Sequence, residues 1–196
     1  LFFPSSGQTC HAFCTFCFRW PQFIGKTSLK FSAKESHELV KYLIVHHEVT
    51  DVLFTGGDPM FMNVNVLKKY IAPLLESIHK TNIQTIRIGT KSLSFWPYRY
   101  VSDKDSDDIL NLFDNIVQKG INLAIMVHFS HPRELSTEIV KEAIKRIRNT
   151  GAQIRTQSPI LKHINDDADI WSEMWRKQVN LNCIPYYMFM ARDTGA

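Results

Sequence analysis

Six short apolar runs alternate with amphipathic stretches along the whole chain, and that alternation confines it to a parallel α/β architecture. Residues 1–5, 51–55, 85–89, 122–128, 153–157 and 184–190 are brief, rich in β-branched residues and bounded by turn formers, so they are expected as strands. The stretches between them carry helical spacing. Ser32-Ala33-Lys34-Glu35 reads as a capping box ahead of Leu39, Val40, Leu43, Ile44 and His47. Val64, Leu67, Ile71, Leu74, Leu75 and Ile78 form a second stripe, with Pro73 inside it as a source of bending. Ile109, Leu112, Phe113, Ile116 and Val117 precede Gly120, and Leu135, Ile139, Ala143 and Ile147 precede Gly151, both glycines standing where helices stop. Trp171, Met174, Trp175 and Gln178 suggest a fifth helix. Parallel strands joined this way require right-handed crossovers.

Two other architectures fit less well. A solenoid would repeat a residue pattern along with its spacing, and none recurs. A doubly wound sheet would place a glycine-rich phosphate loop after the first strand, where this chain has cysteines. Polar and titratable residues follow strand after strand: Thr55-Gly56-Gly57-Asp58-Pro59, Gly89-Thr90-Lys91-Ser92, His128-Phe129-Ser130-His131-Pro132, Gln157-Ser158-Pro159 and Arg192-Asp193-Thr194-Gly195. In a β/α barrel those carboxyl ends line the active face. The expectation is a partial (β/α)6 TIM-type barrel acting as an enzyme.

With 196 residues, 44% hydrophobic and 21% charged, the chain suits one globular domain. Leu1-Phe2-Phe3 reads as the middle of a strand, and Thr194-Gly195-Ala196 follows another apolar run. Residues 1–196 are therefore expected to be a core domain cut at both ends. The net charge of +4 is scattered, without the basic stripe that nucleic acid demands. No apolar run reaches membrane-spanning length.

Three of the four cysteines fall within Cys10-His11-Ala12-Phe13-Cys14-Thr15-Phe16-Cys17. Thiolates gathered on one short loop suit zinc or an iron–sulfur cluster, and such thiols fit a reducing cytoplasm. Structural zinc closes with four ligands. His11 could be the fourth, but it adjoins Cys10, and no second ligand pair follows. Three cysteines on a four-iron cluster leave one iron open, which makes a reactive site the stronger reading.

The other motifs carry two readings each. Gly56-Gly57-Asp58-Pro59 is either a tight turn or a place where backbone approaches a ligand and Asp58 meets a cationic amine. Arg87, pointing into a barrel, would need a partner such as a cofactor carboxylate or ribose. His128 and Gln157 are candidates for nucleoside contact, with ordinary hydrogen-bonded side chains as the alternative. Cys183 is expected in the core. Trp96-Pro97-Tyr98-Arg99-Tyr100 is read as a packed loop rather than a substrate platform.

The C-x3-C-x2-C spacing, with Phe16 before the last cysteine, resembles the signature of radical S-adenosylmethionine (radical SAM) enzymes. Cys10–Arg19, Phe54–Pro59, 86–91, 128–132, 157–166 and Pro185-Tyr186-Tyr187 together resemble the lysine 2,3-aminomutase branch, in that family's order. The resemblance implies a [4Fe–4S] cluster on Cys10, Cys14 and Cys17, and S-adenosylmethionine held by Phe16, Gly56, Gly57, Asp58, Arg87, Thr90, His128 and Gln157. It also implies an external electron donor and hydrogen abstraction from an amino acid, with 1,2-amino migration where pyridoxal 5'-phosphate takes part. Arg19 occupies the place of the family's substrate-carboxylate arginine.

Two departures matter. Where the lysine-specific enzymes carry an aspartate for the distal ammonium, gapless register puts Arg192, with Asp193 next to it as the substrate-binding candidate. The family's pyridoxal-binding lysine has no counterpart among these residues. A pyridoxal-independent radical enzyme and a non-catalytic zinc or cluster module remain as alternatives.

Overall fold

Alternating burial along Thr85–Thr90 shows how the strand pattern becomes structure: Ile86 and Ile88 are fully buried, while Arg87 and Gly89 face the other side. The computed structural model describes residues 1–17, 19–20, 32–34 and 36–191. Five parallel strands, β1 (Asp51–Phe54), β2 (Thr85–Thr90), β3 (Asn122–His128), β4 (Gln153–Ile160) and β5 (Ile184–Met190), lie in sequence order in one sheet. β1 and β5 do not pair with each other, so the sheet is open. Helices run between the strands: α1 (Ser36–Val45), α2 (Val64–Glu76), α3 (Ser92–Phe95), α4 (Ser106–Gln118), α5 (Glu138–Asn149) and α6 (Ala168–Asn180).

The sixth strand, expected at residues 1–5, is reduced to a bridge. Phe2 N–H donates to Leu53 O at 2.8 Å and Phe2 O accepts from Thr55 N–H at 3.0 Å, extending the sheet beyond β1. Pro4 has no N–H to continue the ladder, and the chain turns into a 3-10 helix at Ser5–Gly7. Two further boundaries differ from expectation. β4 continues past Gln157 to Ile160, paired with β5 through a bulge at Thr156/Gln157. Leu135, expected within α5, sits in a 3-10 turn at Pro132–Leu135 that His131 and Glu134 cap together, so the helix starts at Glu138. The proposed capping box of α1 includes Glu35, which lies outside the described residues.

The helices cover the outer face. Leu67, Ile71 and Leu74 of α2 and Ile109, Phe113 and Ile116 of α4 are fully buried, in one hydrophobic core with Ile86, Ile88, Ile125 and Val127. Each such side chain contributes about 1.5–3 kcal/mol by burial. Gly120 and Gly151, with φ of +80° and +82°, end α4 and α5. What remains is the inner face, where Arg87, Gly89, Met126, His128, Arg155 and Gln157 alternate with the core residues. No helix among the described residues is long and apolar enough to cross a membrane.

Candidate functional site

The cysteine loop is fastened to the carboxyl end of β1 by main-chain bonds. Gly57 N–H donates to Gly7 O at 3.0 Å, and Asp58 N–H donates to Thr9 O at 2.9 Å, directly ahead of Cys10. The two glycines permit this contact. A Cβ on Gly57 would lie 2.3 Å from Thr9 O and 2.5 Å from Gln8 O, and Gly56 adopts φ +157° against the Gln8 side chain. The close approach anticipated for a ligand is thus made by the chain's own residues 7–9.

Within the loop Cys17 N–H bonds to Cys14 O, and Ala12 N–H points at Cys10 Sγ over 3.4 Å. Phe13 takes a left-handed backbone, φ 43°, and its side chain is 81% exposed, a strained placement between two ligand candidates. All three thiols are half-buried and act on one another electrostatically. Burial pushes the Cys10 thiol up and the Cys14 thiol up to about 11, the latter opposed by Lys91.

Among the described residues, no three histidine, cysteine or acidic side chains converge tightly enough for a single ion. His11 Nε2 lies 3.9 Å from Asp58 Oδ2. Both of its ring nitrogens are buried without a hydrogen bond. Its ring stands 6.0–6.5 Å from those of Phe61, Phe95 and Trp96. A buried polar group left this way marks a place for a ligand or an ordered water.

Asp58 is 1% exposed and heavily bonded. It accepts from Thr90 Oγ1 at 2.7 and 2.9 Å, from Lys91 N–H at 2.8 Å and from Met60 N–H at 2.9 Å. Burial raises its carboxyl pKa, and these bonds pull the other way. The relay continues from Thr90 through Ser92 (2.7 Å) to the buried Tyr100 hydroxyl (2.6 Å). Thr90, a cofactor candidate, is therefore committed to holding Asp58.

Phe16 and His128 come together at the carboxyl end of β3, with ring centroids 6.2 Å apart and nearly parallel, and Phe189 of β5 packs on the histidine's other side at 5.9 Å. Burial, helped by Lys91, holds the His128 imidazole down to about 3, so it is neutral near pH 7. Gln157 Oε1 accepts from the Tyr187 hydroxyl.

Two residues expected to meet ligands also have partners within the chain. Arg87 is answered by Asp51, through Nε at 2.8 Å and Nη2 at 2.7 Å, near the amino end of the sheet. Arg19 is 4% exposed, donates to Gln8 Oε1 and lies 4.4 Å from the centre of the Phe3 ring, tying the loop's exit to its entry. Asp193 and Arg192 lie outside the described residues.

Residues that sequence reasoning left without a role are Gln8, Thr9 and above all Lys91, which stands in the run after β2 but is not distinguished there. Trp96–Tyr100 is a packed loop, as expected, but with a clamp at its centre. Arg99, 2% exposed, donates to Met60 O and Met62 O at 2.8 Å and pairs with Asp105. Cys183 is buried just before β5, at the end of the sheet opposite the cysteine loop.

Residues 5–131 match the model of a family described as a 4Fe-4S single cluster domain. The chain belongs to that family. It is 34% identical over 96% of its length to an Aquifex aeolicus protein provisionally named L-lysine 2,3-aminomutase, and 28% identical over 93% to a glutamate 2,3-aminomutase of Clostridioides difficile. The chain spans 48% and 40% of those two relatives. Streptococcus suis SuiB shares the fold, with a TM-score of 0.60 at 14% identity, covering 99% of this chain and 40% of that one. The partial-barrel architecture read from the motifs stands, and relatives named as aminomutases match the resemblance drawn there.

Proposed function

We propose that Cys10, Cys14 and Cys17 hold a [4Fe–4S] cluster that works with S-adenosylmethionine, and that the enzyme abstracts hydrogen from an amino-acid substrate. One observation carries the reading. The three loop cysteines gather at the carboxyl end of the sheet while Cys183, the fourth, sits at the other end, so these residues offer three thiolates to four irons. Such a cluster supplies an electron to the cofactor and so initiates radical chemistry.

The chain's own residues have definable tasks. The Gly56–Asp58 turn fixes the loop's entry, and Arg19 with Gln8 fixes its exit. His11, with its orphaned nitrogens beside Asp58, would receive the polar amino-acid end of the cofactor. Phe16 and His128, a flat apolar pair with a neutral imidazole, would meet its nucleoside end. The inner face of the open sheet would exclude water from the reacting atoms.

Acidic and basic amino acids both occur as substrates in the names of the relatives, and amino migration is the reaction those names imply. Pyridoxal 5'-phosphate needs a free amine to condense with. Lys91, the buried lysine at this end, is paired with Glu134, so no step is assigned to that cofactor.

The test is anaerobic reconstitution with iron and sulfide, then reductant and S-adenosylmethionine, with assay for 5'-deoxyadenosine. The full-length polypeptide is assayed beside residues 1–196, with lysine and glutamate as trial substrates. Iron content near four per chain and cofactor cleavage support the reading, and Cys183→Ala should keep both while Cys14→Ala loses both. A protein that binds one zinc, or assembles a cluster yet never cleaves the cofactor, refutes it.

A further inference from the structure

A buried cation stands beside the cysteine loop with no part in the functions described so far. Lys91 follows β2 directly and is 8% exposed. Its backbone N–H is fixed to Asp58, so the residue belongs to the turn that clamps the loop. Its ammonium lies 3.4 Å from Ser130 Oγ, 3.5 Å from Glu134 Oε1 and 4.8 Å from the centre of the Phe95 ring. Phe95 in turn packs near His11. The charge of Lys91 is felt at both Cys14 and His128.

Glu134 is as firmly held. Its other oxygen accepts from the Ser130 and His131 amides, which keeps the carboxylate beyond the lysine. The pair is therefore fixed in place, its lysine bonded through Asp58 to Thr9, the residue before Cys10. Burying an ammonium is unfavourable unless something answers it, and a carboxylate at 3.5 Å answers only in part. A cluster on three thiolates carries negative charge, and gains one more on reduction.

We propose that Lys91 is a positioning charge that sets the reduction potential of the cluster on Cys10, Cys14 and Cys17, with Glu134 as its opposing trim. The inference rests on the cluster reading above. A nearby cation stabilises the reduced, more negative state, and net charge and burial are among the levers that set iron–sulfur potentials. Removing Lys91 lowers the potential, and neutralising Glu134 raises it. The two variants move in opposite directions, a result that a merely structural role for either residue does not produce.

The experiment is a redox titration of the reconstituted full-length protein, followed by electron paramagnetic resonance of the reduced cluster, for wild type, Lys91→Met, Lys91→Arg and Glu134→Gln. Iron and sulfide content are measured in each. Lys91→Met should weaken the one-electron reduction constant about tenfold, a shift of about 59 mV downward. Lys91→Arg should stay near wild type, and Glu134→Gln should shift upward. A fully loaded Lys91→Met cluster with unchanged potential, or shifts of one sign in both variants, overturns the inference while leaving the cluster reading intact. If Lys91→Met does not fold, Glu134→Gln decides alone: an unmoved or lowered potential overturns it. A wild-type protein that takes up no iron and sulfide defeats the cluster reading, and this inference with it.

Discussion

The amide of Asp58 donates to the carbonyl of Thr9 at 2.9 Å, one residue before the first cysteine of the loop. That bond joins the cysteine loop to the turn after β1. The same aspartate sends its carboxylate the other way, to Thr90 and Lys91 after β2. One residue thus ties the ends of β1 and β2 to the cysteine loop. Its role as an organiser is at least as direct as any role in meeting a ligand.

Gly57→Ala should uncouple the loop. The added Cβ meets backbone carbonyls at 2.3 and 2.5 Å, which no side-chain movement relieves. Overpacking of this kind costs about 1–3 kcal/mol, and here it falls on the segment that positions Cys10. Iron and sulfide bound after reconstitution should drop sharply. Gly120→Ala is the control: its φ is +80° but nothing lies within 4 Å. It should cost about 1–2 kcal/mol of stability and leave cluster content unchanged.

Arg99→Met should destabilise the fold through the same turn. The guanidinium satisfies the carbonyls of Met60 and Met62 and pairs with Asp105, whose carboxylate also accepts from Val64 N–H at the start of α2. Removing one partner of a buried ion pair costs about 3–5 kcal/mol. Arg99→Lys should recover little of it, because an ammonium does not reproduce the fork. Urea denaturation midpoints check both values.

Much of this was legible in the chain. Strands 122–128 and 184–190 fall where apolar runs bounded by turn formers place them, the first buried along most of its length and the second, at the edge of the sheet, largely exposed. The cysteines stood out because cysteine is scarce elsewhere. What could not be read was direction and partnership. The glycine pair signalled close approach, but not that the approaching surface was residues 7–9. Arg87 signalled a need for a partner, but Asp51 lies a strand away and no spacing announces it. Lys91 stands in a quoted run but carries no periodic signal, and its importance arises only when β3 and its following turn bring Ser130 and Glu134 alongside.

Thr90→Val should expose how firmly Asp58 is held. Valine keeps the shape of threonine but loses the hydroxyl that donates to Asp58 and meets Ser92. Hydrogen bonds to a charged group are worth about 1.5–3 kcal/mol, and stability should fall by that order. Thr90→Ser, which keeps the donor, should recover most of the loss. If valine proves neutral in thermal unfolding, the relay from Tyr100 to Asp58 contributes nothing.

Acid should destabilise the protein through His128. Burial depresses the folded imidazole to about 3 from the ordinary 6.5. Between those limits the unfolded chain takes up a proton that the folded chain refuses, so stability is complete above about pH 6.5 and declines as pH falls toward 3. Half-burial of the ring moderates the effect, to about 1–2 kcal/mol at pH 5. His128→Gln removes the titrating group while keeping a polar side chain. Unfolding free energies of wild type and variant, measured without cluster or cofactor at pH 7.5 and pH 5, should therefore differ in slope, with the wild type losing more stability on acidification. Equal slopes would mean that the imidazole is hydrated and protonates freely in the folded state, which would remove the neutral ring from the surface proposed for the nucleoside.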